Sequence, residues 1–206
     1  MHTYILFAHP SRRSFTWEVL QAFTRGLADA GHTFETGDLY AMDFKSDMDL
    51  AQYERETSLD PAAPVPDDVR REQSRIDGAD GLAFIYPVWW SDCPARLKGW
   101  FDRVLTYGYA YLYTDSGHAT SRIRTRKALV LCPAGHTAEH LQETGIAESM
   151  RRIMVNDRLL GVGVREARME ILGGMVGNDP AVRERNLERA YALGRSFWGP
   201  AAGAAG

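Results

Sequence analysis

The stretch "ILFAHPSRRSFT", residues 5–16, decides the fold of this chain. An apolar run ends in a histidine and a proline. A serine-bearing turn follows and opens a segment with helical spacing of Phe15, Val19, Phe23 and Leu27, stopped by Gly31. This pattern is a strand buried on both faces that feeds directly into a helix. The helix start leaves backbone N–H groups unsatisfied at the positive end of its dipole, which is the geometry that collects an anion. The first ligand to expect here is a phosphate.

Working outward, the same alternation repeats. Residues 3–8, 32–40, 81–88, 127–132 and 167–172 read as strands, and residues 14–30, 67–76, 95–105, 139–160 and 181–197 as helices. The last helix is opened by "NDP", an aspartate cap before a helix-starting proline. Strict strand-helix order implies right-handed crossovers and an α/β fold: a doubly wound, five-stranded parallel sheet in three α/β/α layers. Residues 1–198 read as one domain without repeat or linker, residues 42–66 as irregular and acidic, and residues 199–206 ("GPAAGAAG") as a disordered tail.

With 45% hydrophobic and 25% charged residues, the composition is that of a globular protein. A net charge of −3 argues against nucleic acid as a partner and for small molecules. No apolar run reaches the roughly 18 residues of a spanning helix, so no membrane insertion is expected. Cys93 and Cys132 form no CxxC pair and the N-terminus runs straight into a core strand, which reads as a reduced, cytoplasmic protein.

In such a sheet, ligands bind beyond the carboxyl ends of the strands. The segments arriving there are "HPSRRSFT", "YPVWWSDCPARLKGWFDRV" and "CPAGHT". In the first, Ser14 and Thr16 are placed to donate to a phosphate or to act as N-caps, and His9 is a phosphate donor or a satisfied core histidine. In the second, Trp89 and Trp90 lie between strand and helix and read as ligand or dimer contacts, whereas Trp100 and Phe101 lie on the helix and read as core. The third offers Pro133, Ala134 and Gly135, a small-residue turn that admits a ligand close to the backbone. "YGYAYLY", residues 107–113, would as a strand put four tyrosines on one face, lining a cleft for a flat substrate or half of a dimer contact. "HTAEH", residues 136–140, has histidines at i and i+4 but no third ligand, so no metal site is expected.

These motifs resemble the NAD(P)H quinone oxidoreductases of flavodoxin-like fold, the DT-diaphorase type and its bacterial relatives. "HPSRRSFT" matches that family's His-Pro/Ser…Ser-Phe-Asn loop, and "PVWWSDCPARLKGWFDRVLTYGYAY" its long Trp…Pro-Ala-x-Leu-Lys-Gly-Trp block. The resemblance implies a homodimeric flavoprotein with its active site at the subunit interface. It would reduce quinones or related aromatic acceptors by two electrons, in a ping-pong cycle with NAD(P)H as co-substrate. FAD is the implied flavin, with FMN the alternative. His9, Ser14, Phe15 and Thr16 would hold the phosphates and ribityl chain. Pro87, Val88, Trp89 and Trp90 would contact the ring, and Pro133, Ala134, Gly135 and His136 would lie along its pyrimidine side. Tyr111 and Tyr113 would reach into the substrate cleft. Two positions depart from the family: Thr16 replaces its asparagine, and "CPAGHT" replaces a Thr-Thr-Gly-Gly turn. The family's Tyr/His relay is not intact either, since His140 falls near the tyrosine position and Ala147 at the histidine position. His140, or His136, is the expected electrostatic partner of the reduced ring, helped by the amides of Ala134 and Gly135. The rival readings are a non-catalytic flavin-binding regulatory partner and a flavodoxin-type electron carrier.

Overall fold

The computed structural model describes residues 1–113 and 119–199. In chain order its elements begin with β1 (His2–Phe7), α1 (Phe15–Asp29), β2 (Thr33–Asp38), α2 (Leu50–Thr57), α3 (Asp67–Asp77), β3 (Gly81–Ile85) and α4 (Ala95–Val104). Two short antiparallel strands, β4 (Leu112–Tyr113) and β5 (Ala119–Thr120), follow. The chain continues through β6 (Lys127–Pro133), α5 (Ala138–Glu143), α6 (Ile146–Arg151), β7 (Glu166–Leu172) and α7 (Pro180–Ser196). β1, β2, β3, β6 and β7 form the expected parallel sheet, in the order β2-β1-β3-β6-β7. The chain moves one way from β1 to β2 and the other way from β3 onward, so the strand order reverses beside β1. Phe7 pairs with Ile85 and Ile85 with Leu131, so the segments leaving β1, β3 and β6 emerge together at one edge.

Alternation along the central strands builds two cores. Ile5, Phe7, Ala83, Ile85, Leu129 and Leu131 pack under α1 and α7, and Tyr4, Leu6, Leu82, Phe84, Ala128 and Val130 pack on the side of α3, α4 and α6. Each fully buried side chain of this size contributes roughly 1.5–3 kcal/mol. α1 and α7 approach so closely that a Cβ at Gly26 would strike Tyr191 O and one at Gly194 would strike Phe23 O. On the other face the buried Glu72 accepts from Tyr4 Oη (2.6 Å), Trp100 Nε1 (2.8 Å) and Arg75 Nη1 (2.5 Å), tying β1, α3 and α4 together. Burial and this carboxylate push the Tyr4 phenol far above its ordinary range.

Three expectations are corrected. Residues 42–66 are not wholly irregular, because α2 lies within them, capped by Asp49 accepting from Gln52 N (2.8 Å). The single helix expected over residues 139–160 is broken into α5 and α6 by Gly145 at φ 74°, then runs on as a π-helical turn (Arg152–Asp157) and a 3₁₀ turn (Leu160–Val162). The four tyrosines do not share a face: Tyr107, Tyr111 and Tyr113 cluster at ring separations of 5.5–6.2 Å. Tyr109 instead turns into the core and donates to Asp77 Oδ1 (2.9 Å). Gly108, at φ 83°, breaks the extended run there. The tail expected over residues 199–206 lies outside the described residues apart from Gly199, whose carbonyl lies 2.9 Å from His32 Nε2.

Candidate functional site

The segment leaving β1 is shaped by short-range hydrogen bonds. Ser14 is the N-cap of α1: its Oγ accepts from Trp17 N (3.2 Å) and donates to Ser11 O (2.7 Å), so its hydroxyl proton is already committed. Thr16 is buried, and among the described residues its hydroxyl has no partner and the amides of Phe15 and Thr16 at the helix start have none either. His9 Nδ1 accepts from Ser11 N (2.9 Å), which leaves the proton on Nε2. Burial lowers the His9 pKa, partly countered by the Ser11 carbonyl 3.1 Å from Nδ1, which favours a protonated ring, so the ring is a neutral donor. Two amides, one hydroxyl and one imidazole N–H therefore gather at a helix N-terminus, a donor set suited to phosphate.

The segment leaving β3 is locked to its neighbour by Val88 N donating to Pro133 O (2.8 Å). Residues 89–92 then make a two-residue turn, with Trp89 N bonded to Asp92 O (3.0 Å) and Asp92 N to Trp89 O (3.1 Å). Both central residues lie in the left-handed region, Trp90 at φ 50° and Ser91 at φ 63°. That is the sign pattern of a type I′ turn, which favours glycine and asparagine. The Trp90 side chain is fully exposed, at 101%, and Trp89 is 41% exposed with its ring 5.9 Å from His9. Trp100 and Phe101 are buried in the core, as expected.

What holds this strained turn is invisible in the sequence. Asp92 receives both guanidinium nitrogens of Arg158 (3.1 and 3.2 Å), and Arg158 lies 5.3 Å over the Phe101 ring. Burial alone would raise the Asp92 carboxyl, but hydrogen bonds from Arg158 and Cys93 N, with the guanidinium charge, hold it below its ordinary value. Arg158 follows immediately on the π-helical turn, an irregularity often found at functional sites. The adjoining Cys93 thiol is pushed up to about 12 by burial and by Asp92, so it is no nucleophile at neutral pH.

At the third segment the Ala134 amide is spent on Leu172 O (3.0 Å), which removes it as a donor to a ligand. The amides of Gly135, His136 and Thr137 bond to no backbone group, and a Cβ on Gly135 would lie 2.8 Å from Val176 Cγ2. His136 and His140 are exposed, with rings 4.6 Å apart. Pro87 and Val88 line the start of the second segment, and Pro133 is buried at the end of β6.

Two further features border this edge. Arg183 of α7 lies 4.8 Å over the Phe15 ring and pairs with Glu18 (2.6 Å). It lines a cavity of about 610 Å³ between α1 and α7, together with Arg25, Asn178, Leu187 and Tyr191. Tyr111 is half-buried and Tyr113 exposed, while Arg55 of α2 donates to Tyr107 O (2.9 Å). No cluster of potential metal ligands occurs among the described residues.

A family model described as flavodoxin-like fold matches residues 1–193. Among solved structures, the chain is similar to an NAD(P)H:quinone oxidoreductase from Methanothermobacter marburgensis, at 61% identity and a TM-score of 0.91, with 96% of each chain covered. An uncharacterized NAD(P)H oxidoreductase from Haemophilus influenzae is 27% identical over 191 residues, 92% of either chain. NAD(P)H dehydrogenase (quinone) 1 from Rattus norvegicus is 30% identical over 163 residues, which are 73% of this chain and 59% of the rat protein.

Proposed function

Because the chain belongs to the flavodoxin-like family and to its NAD(P)H quinone oxidoreductases, we propose that it is a flavin-dependent enzyme that transfers two electrons from NAD(P)H to quinones or similar aromatic acceptors in a ping-pong cycle. The observation that carries this reading is the unpartnered donor set at the start of α1, on the segment whose His9 ring lies 5.9 Å from that of Trp89. A bound flavin supplies the hydride chemistry. Phe15 N, Thr16 N, the Thr16 hydroxyl and His9 Nε2 hold its phosphate. Pro87, Val88, Trp89 and Trp90 cover the ring and exclude water, and the Gly135 and His136 amides donate along the pyrimidine side with Pro133 and Ala134 as the wall. His140 or His136 offsets negative charge that develops there. Tyr111 and Tyr113 line the place where nicotinamide and acceptor stack in turn.

FAD is favoured over FMN because the cavity beside Phe15, edged by Arg183 and Leu187, offers room for an adenosine beyond the phosphate cradle. A homodimer closes the site: Tyr113 is 58% exposed and the adjoining α2 exposes Leu50 and Tyr53, an apolar surface that a second copy would cover. A compartment of reducing character, such as the cytoplasm, suits the two buried free thiols. Purified protein mixed with NADPH and a benzoquinone under steady-state conditions turns over on this reading; bleaching without turnover would overturn it in favour of a binding role. Releasing and chromatographing the bound cofactor distinguishes FAD from FMN.

A further inference from the structure

The opposite edge of the sheet carries a second cavity, of about 620 Å³, that none of the three segments above touches. It opens at the N-terminal ends of β3 and β6 and is lined by Asp77, Asp80, Arg122, Arg124, Thr125 and Arg126. We propose that it binds a small phosphate ester carrying hydroxyl groups, of the sugar-phosphate class.

Three guanidiniums from "RIRTR", residues 122–126, converge on this cavity, and none forms an ion pair among the described residues. Arg124 is steadied by donating to Ser121 O (2.5 Å) and Ile123 O (3.1 Å), and Arg126 lies 5.9 Å over the Trp198 ring. Three guanidiniums outnumber the two carboxylates at this mouth, and in a chain of net charge −3 that local positive excess favours an anion. A second, independent observation comes from Thr125. Its side chain is 2% exposed and its Oγ1 has no hydrogen-bond partner among the described residues, whereas a buried hydroxyl normally has one. Thr125 lines this wall, so a rotation of its side chain on binding brings the hydroxyl to a ligand oxygen, the missing acceptor.

The two carboxylates define the rest of the ligand. Asp77 already accepts from Tyr109 Oη (2.9 Å) and Asp80 from His2 N (2.8 Å) through one oxygen each. Their second oxygens repel a bare polyanion and accept hydroxyls, so the site favours a phosphate joined to a hydroxylated body. The backbone around it is fixed by Arg126 N to Asp80 O (3.0 Å) and Arg165 N to Thr125 O (3.2 Å), so little ordering is needed on binding.

The test uses the flavin-loaded protein and three probes: ribose 5-phosphate, ribose and inorganic phosphate, followed by calorimetry and by the ligand-induced shift in melting temperature. Ribose 5-phosphate is expected to bind more tightly than either fragment. The double variant Arg122→Gln, Arg124→Gln is expected to weaken it by about tenfold or more. Thr125→Val removes the orphaned hydroxyl, and is expected to leave the ligand-free melting temperature unchanged or raised while weakening the ester severalfold. Absence of binding, unchanged affinity in the double variant, or displacement of the ester by NADPH would each overturn the proposal. Equal binding of inorganic phosphate would overturn the assignment of the hydroxylated body.

Discussion

Trp90→Gly is expected to make the ligand-free protein slightly more stable and much worse at holding flavin. Trp90 sits at φ 50° with its side chain fully in solvent, so its removal sacrifices no packing. The left-handed conformation costs an ordinary residue about 1–2 kcal/mol, whereas glycine adopts it freely and gives back roughly 0.5–1 kcal/mol through the greater entropy of its unfolded chain. The balance is a gain of up to about 1.5 kcal/mol, and a chain of this size moves about 2–4 °C in melting temperature per kcal/mol. The same change removes an aromatic face from the ring. Such stacking is worth about 1–3 kcal/mol, so flavin dissociation constants should rise roughly fivefold to 150-fold. Differential scanning fluorimetry of the stripped protein reads the first quantity, and a flavin-fluorescence titration reads the second. A melting temperature lowered by several degrees, or an unchanged flavin affinity, would refute the reasoning: the tryptophan would then be packed, or would have no part in the site.

Arg158→Ala removes both bonds to Asp92, whose side chain is 43% exposed, so screening limits the loss to about 1–2 kcal/mol. Melting should fall by a few degrees and flavin binding weaken with it, and Arg158→Lys should restore only part because the fork geometry is gone. Glu72→Ala strands the buried Tyr4 hydroxyl and Trp100 N–H, and a urea titration should report a loss of about 3–5 kcal/mol. Burial depresses the His9 pKa, so below the unfolded value of about 6.5 the unfolded chain binds more protons than the folded one. Stability should therefore decline as pH falls from about 6.5 toward the folded pKa. Urea melts of wild type against His9→Gln should show that component vanish.

The strands were legible because a parallel sheet covered on both sides demands near-continuous apolar runs, and Tyr4 to Phe7 are indeed completely buried. α2 escaped notice because the side chain it buries is polar: Gln52 donates to Arg103 O (2.8 Å) and accepts from Arg103 Nε (2.9 Å), leaving no apolar period to see. The break at Gly145 carried a signal, a glycine after a polar turn, that the surrounding helical spacing concealed. The tyrosine alternation failed at Gly108 for the same kind of reason, a backbone reversal hidden inside a regular pattern. Within the site, the convergence of the three segments followed from topology. The Asp92–Arg158 clamp could not be read, since its partners are 66 residues apart and Arg158 belongs to no motif. Nor could the left-handed turn, because neither Trp90 nor Ser91 advertises it. The spent Ala134 amide likewise required the position of Leu172.

Titration of the purified, flavin-stripped chain with FAD and with FMN tests the central claim most directly. The account predicts a yellow complex with one flavin per chain, bound through the α1 donor set and weakened about tenfold by Thr16→Val, as expected when one hydrogen bond to a charged phosphate is lost. A chain that stays colourless in excess of either flavin would contradict it.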